Sequence, residues 1–387
     1  MPALHPEIDA DGLLEYSVVF TDRSLNQMSR RFQQVMRDVS EILKEAYSAP
    51  SAVLLPGGGT FAMEAVARQF AGGKRVLVIR NGWFSYRWTQ IFDTGRIPAS
   101  HTVIKARPVS QERQAAFAPA PIAEVLAAIE RDKPEVVFAP HVETSAGILL
   151  PDDYLRAVAD AAHAVGGLFV LDCVASGALW VDMRATGVDI LISAPQKGWS
   201  GSPGTGFVLL SERARSAIES TVSSSYAADL RKWLQIMETY EKGGHAYHAT
   251  LPTDALARTR DQMLQTRAAG FETLRAAQQT LGERVRSLFE AHGLRSVAAP
   301  GFQAPCVVVS YTDDDGMHTG KAFAAAGLQT AAGVPLQCDE PADFKTFRVG
   351  LFGLDKLLDI DAAAARLQAA LAEIGSVRGS NSLAKTG

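Results

Sequence analysis

From about residue 53 to residue 210, short apolar runs and helix-patterned segments take turns. This alternation limits the architecture more than any other feature of the 387-residue chain. The apolar runs fall at 52–55, 75–80, 101–105, 135–139, 168–171, 189–193 and 206–210. Between them, residues 60–70, 88–94, 122–131 and 153–165 carry the spacing of amphipathic helices. Such alternation predicts an α/β fold with a mostly parallel sheet and helices on both faces. In sheets of this kind ligand-binding groups gather at the carboxyl ends of the strands.

The texture changes near Asp254. Residues 254–292 read as long, charged and helical, interrupted near Gly270 and Leu281. A strand at 306–311, a helix at 320–326, a strand at 346–351 and a helix at 360–374 follow as a compact α+β unit. Residues 109–121 read as a surface loop. The expected organisation is an N-terminal arm at 1–15, a large domain at 16–255, a small C-terminal domain at 256–375 and a flexible, small and polar tail at 376–387.

Composition excludes some classes. Apolar residues make up 47% and charged residues 21%, with a formal net charge of −4, so a soluble globular protein without a nucleic-acid footprint is expected. Cys173, Cys306 and Cys338 are too few and too scattered for a disulfide framework or a Cys-rich metal site, and they fit a reducing cytoplasmic setting. The N-terminal residues show neither a basic nor an apolar stretch of signal-peptide type. The apolar runs are strand-sized, so no membrane span is expected.

Three features carry chemistry. Asp172 ends an apolar strand in LFVLDCVAS; a carboxylate there is costly unless it has a partner, although a helix cap or a structural ion pair would also use it. Lys197 follows the next strand in ISAPQKGWSGSPG, among small residues. An amine bracketed in this way forms an imine once its pKa is lowered. In PGGGTFAMEA a glycine run ends a strand, and Thr60 then opens a helix. That turn lets backbone approach a phosphate and offers helix N-terminal amides to it, although an ordinary strand–helix turn has the same look. Together the three supply what a phosphorylated pyridine aldehyde needs: an amine to bind it, a carboxylate for the ring nitrogen and a cradle for the phosphate.

At this point residues 56–353 resemble the class V branch of fold-type I pyridoxal-phosphate enzymes, and most of all the alanine–glyoxylate and serine–pyruvate aminotransferase group. The densest likeness is LDCVASGALWVDMRATGVDILISAPQKGWSGSPGTG, residues 171–206. The resemblance implies a large domain with a mostly parallel sheet, a smaller C-terminal α+β domain and pyridoxal 5'-phosphate as cofactor. It implies that Lys197 forms the Schiff base, that Asp172 pairs with the pyridine nitrogen, that Gly58, Gly59 and Thr60 meet the phosphate end, and that Gln196 contacts the phosphate or another part of the cofactor. Val174 and Phe84, in RNGWFSYRW, would cover the two ring faces. Thr144, in HVETSAGILLP, would bond the cofactor's phenolic oxygen or imine region, while for His141 and Glu143 a purely structural role stays open. Tyr247 and Thr250 resemble residues that reach the phosphate of a neighbouring subunit, which implies a homodimer with shared sites. Arg348, in TFRVGLFG, resembles the arginine that binds the substrate carboxylate.

The expected activity is transfer of an amino group from a small amino acid of alanine or serine type to a 2-oxo acid such as glyoxylate or pyruvate. Two alternatives stand beside it: a class V lyase or desulfurase, although neither Cys306 nor Cys338, in PLQCDEPAD, sits in a convincing mobile loop, and an aminotransferase for an aminophosphonate or other non-standard amine. The family opens with a Pro-Gly-Pro turn over the substrate; this chain has GLLEYSVVFTDR there, so those contacts do not carry over.

Overall fold

The structure is a computed structural model that describes the backbone of residues 3–383 and side chains through Gly375. Seven strands form the main sheet: β1 (Ser51–Gly57), β2 (Arg75–Arg80), β3 (Ser100–Lys105), β4 (Val136–Pro140), β5 (Leu168–Asp172), β6 (Ile190–Ser193) and β7 (Gly204–Leu210). Their spatial order is β1-β7-β6-β5-β4-β2-β3. Every pair from β6 to β3 is parallel; β7 alone runs against its neighbours β1 and β6. All residues of β4 and β6 and the first four of β5 are buried. Burial on both faces is why these strands read as unbroken apolar runs instead of alternating.

The register of the parallel strands sets the position of the site. Asp172 ends β5 level with Pro140 of β4 and Ile192 of β6. The glycine turn after β1, the loop after β5 and the lysine turn after β6 therefore open at one edge. Flanking helices include α1 (Arg30–Tyr47), α2 (Gly59–Phe70), α3 (Trp83–Gly95), α4 (Ile122–Asp132), α5 (Asp152–Ala164) and α6 (Leu230–Glu241). α1 starts where the Ser29 side chain accepts from Phe32 N, and it buries Phe32, Val35, Met36, Val39, Ile42 and Leu43 along one stripe.

The helical stretch expected at 254–292 is two helices, α7 (Thr253–Ala269) and α8 (Phe271–Ala291), parted at Gly270 with φ 89°. The second interruption expected near Leu281 does not occur, because Leu281 is a fully buried packing residue within α8. A three-stranded antiparallel sheet follows, with β8 (Val307–Tyr311), β9 (Ala331–Ala332) and β10 (Thr346–Gly350) in the order β8-β10-β9. α9 (Ile360–Leu383) closes the chain and packs on α8. The tail expected from residue 376 is therefore helical in backbone as far as Leu383, and 384–387 lie outside the described residues. The loop expected at 109–121 holds one short strand, Phe117–Ala118, whose Phe117 is buried.

Two glycines let this edge of the sheet close up. A Cβ on Gly198, next to Lys197, would sit 2.2 Å from the carbonyl oxygen of Gly177, which itself has φ +61°. The lysine turn thus rests directly on backbone of the loop after β5, and that backbone has no room to yield. Gly198→Ala is expected to lower stability by about 1–3 kcal/mol, an overpacking cost, read as a lower denaturant midpoint. An unchanged midpoint would show that the two loops do not lock one another.

Candidate active site

Asp172 and Lys197 lie at the ends of adjacent parallel strands. The Asp172 Oδ1 accepts from Val174 N at 2.9 Å. Burial pushes its carboxyl up to about 6; the Val174 amide, the Lys197 amine and the Arg87 guanidinium work against that, and the Glu143 charge adds to it. Lys197 stands in a tight turn in which Ser200 N donates to Lys197 O and Gly201 N to Pro195 O. Its Nζ lies 5.9 Å from the Phe84 ring centroid and 5.5 Å from that of Phe352. Burial pulls the amine below the ordinary lysine value; Asp172 opposes this, while the Arg348 and Arg87 charges reinforce it. A larger neutral fraction makes the amine a better nucleophile.

The glycine turn is built for close approach. Gly57 has φ +115°, and a Cβ there would fall 2.3 Å from Cγ of Phe61. A Cβ on Gly59 would fall 2.7 Å from a Val174 methyl group. No side chain caps α2 at Gly58. The first turn thus presents backbone amides and the positive end of the helix dipole beside Val174. Thr60 Oγ1 accepts from Arg87 Nη1 at 2.9 Å.

Phe84 is held in place from below. Glu143 is fully buried and accepts from Phe84 N at 3.1 Å, Ser85 N at 2.9 Å, Ser85 Oγ at 2.7 Å and Ser145 Oγ at 2.7 Å. It fixes the start of α3, the helix that carries Phe84, and is a positioning group. His141 bonds Ser176 Oγ through Nδ1 at 2.7 Å, and burial pushes its imidazole down to about 3, so it stays neutral. Thr144 Oγ1 is buried and has no hydrogen-bond partner. An orphaned buried hydroxyl is costly unless a ligand supplies its partner.

The structure brings Gly58, Gly59, Thr60, Phe84, Asp172, Val174, Lys197 and Arg348 toward one edge. Arg348, on β10, donates from Nε to Ala332 O at 2.8 Å, and its guanidinium carbon lies 5.5 Å from the Phe84 ring centroid. Among the described residues no carboxylate forms an ion pair with it. Gln196 is exposed in the turn just before Lys197. Tyr247 and Thr250 are exposed and bonded to each other, hydroxyl to hydroxyl at 3.2 Å, apart from this cluster. Two residues join the site that the motifs did not single out. Arg87 had a signal, lying three residues after Phe84 on the same helix face. Phe352 depends on how the C-terminal sheet docks.

The donor set fits pyridoxal phosphate: an amine and a carboxylate at neighbouring strand ends, an aromatic ring, an uncapped helix start and an unpartnered buried hydroxyl. The cysteines do not fit a desulfurase nucleophile. All three are free and buried, and burial pushes the Cys306 and Cys338 thiols up to about 12.

The large α/β sheet with these groups at its carboxyl edge defines a fold-type I pyridoxal-phosphate enzyme. Residues 12–343 match the family described as aminotransferase class-V. A 2-aminoethylphosphonate–pyruvate transaminase of Paraburkholderia phymatum is 32% identical over 337 residues, 86% of this chain and 84% of that protein. One from Burkholderia pseudomallei is 30% identical over 97% of this chain and 99% of its own length. The crystal structure of an alanine–glyoxylate aminotransferase from Nostoc sp. has a TM-score of 0.74 at 22% identity, with 89% of this chain and 88% of that chain covered. The chain belongs to the class V aminotransferase family and is a pyridoxal-phosphate-dependent aminotransferase.

The raised Asp172 pKa carries a stability consequence. A folded value near 6 against an ordinary 3.8 means that the folded state holds this proton more tightly than the unfolded state. Stability tied to the protonated form is complete below about pH 4 and is lost as pH rises through 6. At about 1.4 kcal/mol per unit, the loss is about 2–3 kcal/mol. Cofactor-free Asp172→Asn should therefore be more stable than cofactor-free wild type at pH 8 by up to that amount, with no gain at pH 4, while turnover collapses. Denaturant midpoints at the two pH values check this, and a variant less stable at pH 8 would refute it.

Proposed function

We propose that the enzyme exchanges an amino group between the alanine–pyruvate couple and a short amine that carries a terminal anion, with aminophosphonates of the 2-aminoethylphosphonate kind as the donor. The observation that carries this is Arg348: a guanidinium that no carboxylate among the described residues pairs with, beside the same aromatic ring as Lys197. A phosphonate or a carboxylate would satisfy it equally well. The names of the relatives support the phosphonate and the pyruvate acceptor. Transamination is reversible, so a pyruvate acceptor and an alanine donor are one half-reaction read in two directions. Glyoxylate in place of pyruvate is the second reading, supported by the structural likeness to the Nostoc protein.

Bound pyridoxal phosphate supplies a ring that accepts the electron pair left when the amine-bearing carbon loses its proton. Lys197 would hold the cofactor covalently and, once displaced by the donor amine, would carry the proton at Nζ. Asp172, oriented by Val174 N, would keep the ring nitrogen protonated. Phe84 and Val174 would cover the ring, and Thr144 Oγ1 would bond the phenolic oxygen or the imine region. Gly58, Gly59 and Thr60 would receive the phosphate, and Gln196 would contact it or another part of the cofactor. Three reduced, buried cysteines support a cytoplasmic setting. Among the described residues no helix is long and apolar enough to cross a membrane.

We propose further that the protein is a homodimer in which Tyr247 and Thr250 reach the neighbouring site. Phe61, Val222, Tyr226 and Tyr247 are all more than half exposed. They lie on α2 and on loops tied to it, since Gln69 bonds Thr221, and the Tyr226 and His248 rings meet at a tilt with centroids 4.8 Å apart. Large apolar side chains gathered beside a ligand cradle suit coverage by another chain.

A matrix of donors and acceptors, scored by spectral conversion of the bound cofactor, tests the reaction. Arg348→Ala should weaken aminophosphonate and α-amino acid donors alike by about 10- to 100-fold, the loss of one charge-assisted pair. A wild-type enzyme that converts neither alanine nor aminophosphonates, or an Arg348→Ala enzyme with undiminished kcat/KM, would overturn this assignment. For the dimer, a Lys197→Ala chain is co-expressed with a Tyr247→Phe, Thr250→Ala chain. Their heterodimers should regain activity through one undamaged site, and isolated heterodimers no more active than either parent would argue against sharing.

A further inference from the structure

The cradle leaves a charge unanswered. A phosphate monoester carries a charge between −1.5 and −2 near pH 7. A helix N-terminus offers the equivalent of about half a positive charge. Gly58, Gly59 and Thr60 add none, nor do Gln196, Tyr247 or Thr250. Lys197 is reserved, on the proposed reading, for the covalent link to the cofactor.

Arg87 is the cation joined to the cradle. Its Nη1 donates to Thr60 Oγ1, in the first turn of α2, at 2.9 Å. It follows Phe84 by three residues on α3, which places both on one helix face. Its guanidinium carbon lies 5.2 Å from the Phe84 ring centroid. Arg87 therefore spans the element that cradles the phosphate and the element that stacks on the ring. It is partly buried, and among the described residues no carboxylate forms an ion pair with it. Its field already reaches both Asp172 and Lys197. Arg348 approaches the same ring from the C-terminal sheet and is free for the substrate, whereas the Thr60 bond commits Arg87 to the cradle.

We infer that Arg87 is the side-chain cation of the cofactor's phosphate site, bonding the phosphate beside Thr60 while its stem and guanidinium buttress Phe84. This holds whatever the amine donor is, since it concerns the cofactor alone.

The phosphate can be isolated experimentally, because pyridoxal shares every other group with pyridoxal phosphate. Cofactor-free full-length protein is titrated with each, following absorbance and tryptophan fluorescence. Arg87→Gln should weaken pyridoxal phosphate about 10- to 100-fold and leave pyridoxal within about twofold, on the same scale. Arg87→Lys should recover most of the loss, and added salt should narrow the gap between wild type and Arg87→Gln. Should Arg87→Gln fold poorly, Thr60→Val removes the hydroxyl partner and leaves the guanidinium; its preference for the phosphorylated ligand should fall by a smaller factor. Equal losses for both ligands would mean that Arg87 only supports Phe84, and would overturn the assignment. Unchanged pyridoxal phosphate affinity with a raised KM for the amine donor would overturn it too, in favour of a substrate anchor.

Discussion

A carboxylate and an amine share the buried carboxyl edge of one sheet, and neither ion is at ease there. Burial raises Asp172 to about 6 and lowers Lys197. Each is the largest favourable charge near the other in this part of the fold, yet the fold spends little on making them comfortable: Asp172 keeps a single backbone donor, Val174 N. A fully satisfied carboxylate would have its pKa depressed and would hold no unmet demand. The unmet demand is one that a protonated pyridine nitrogen would answer. On the proposed reading, binding of the cofactor should therefore raise the stability of the large sheet.

The register of the sheet makes that juxtaposition possible. β4, β5 and β6 are parallel, so their loops open on one side, and Pro140, Asp172 and Ile192 stand level. Glycines then remove the spacing that side chains would impose. Gly198 lies on Gly177, and Gly59 lies on Val174. Phe84 is fixed by the buried Glu143, whose bonds to backbone amides and serine hydroxyls hold α3 to the loop after β4. A carboxylate with that many donors is in a helix-capping role, the opposite arrangement from Asp172 although the two lie close enough to affect one another.

Much of this was legible in the sequence because the main strands are buried on both faces and therefore read as uninterrupted apolar runs. Lys197, Asp172 and the glycine turn were legible because each breaks the local pattern at a strand end. Helices α1 and α6 stand outside the strand–helix alternation and carry their own signals: Ser29 and Asp229 as caps, then apolar residues at helical spacing. The break expected near Leu281 failed because a glycine within a helix, here Gly282, can serve close packing; a Cβ on it would meet Pro305 at 2.4 Å. Arg87 was legible only as a neighbour of Phe84 on one helix face. Phe352 was not, since nothing local tells how the C-terminal sheet lies over Lys197. The roles proposed for Tyr247 and Thr250 concern contacts between chains, which neither periodicity nor the fold of one chain determines.

The distribution of cations links substrate binding to proton transfer. Arg87, Arg348 and Lys197 all stand within 6 Å of the Phe84 ring centroid, at 5.2, 5.5 and 5.9 Å. The two guanidiniums help to keep Lys197 below its ordinary value, which favours the neutral, nucleophilic amine while the site waits for its ligands. An anion that pairs with Arg348 neutralises part of that field. An amine freed from the cofactor would then lie beside fewer uncompensated positive charges, and its affinity for a proton would rise. On the proposed reading this is when it would take a proton from carbon. The anchor proposed to orient the donor would thus make Lys197 a stronger base only after the donor has arrived. A guanidinium suits this task better than an ammonium ion, because it remains charged across the whole working range of pH and changes its field only by being paired.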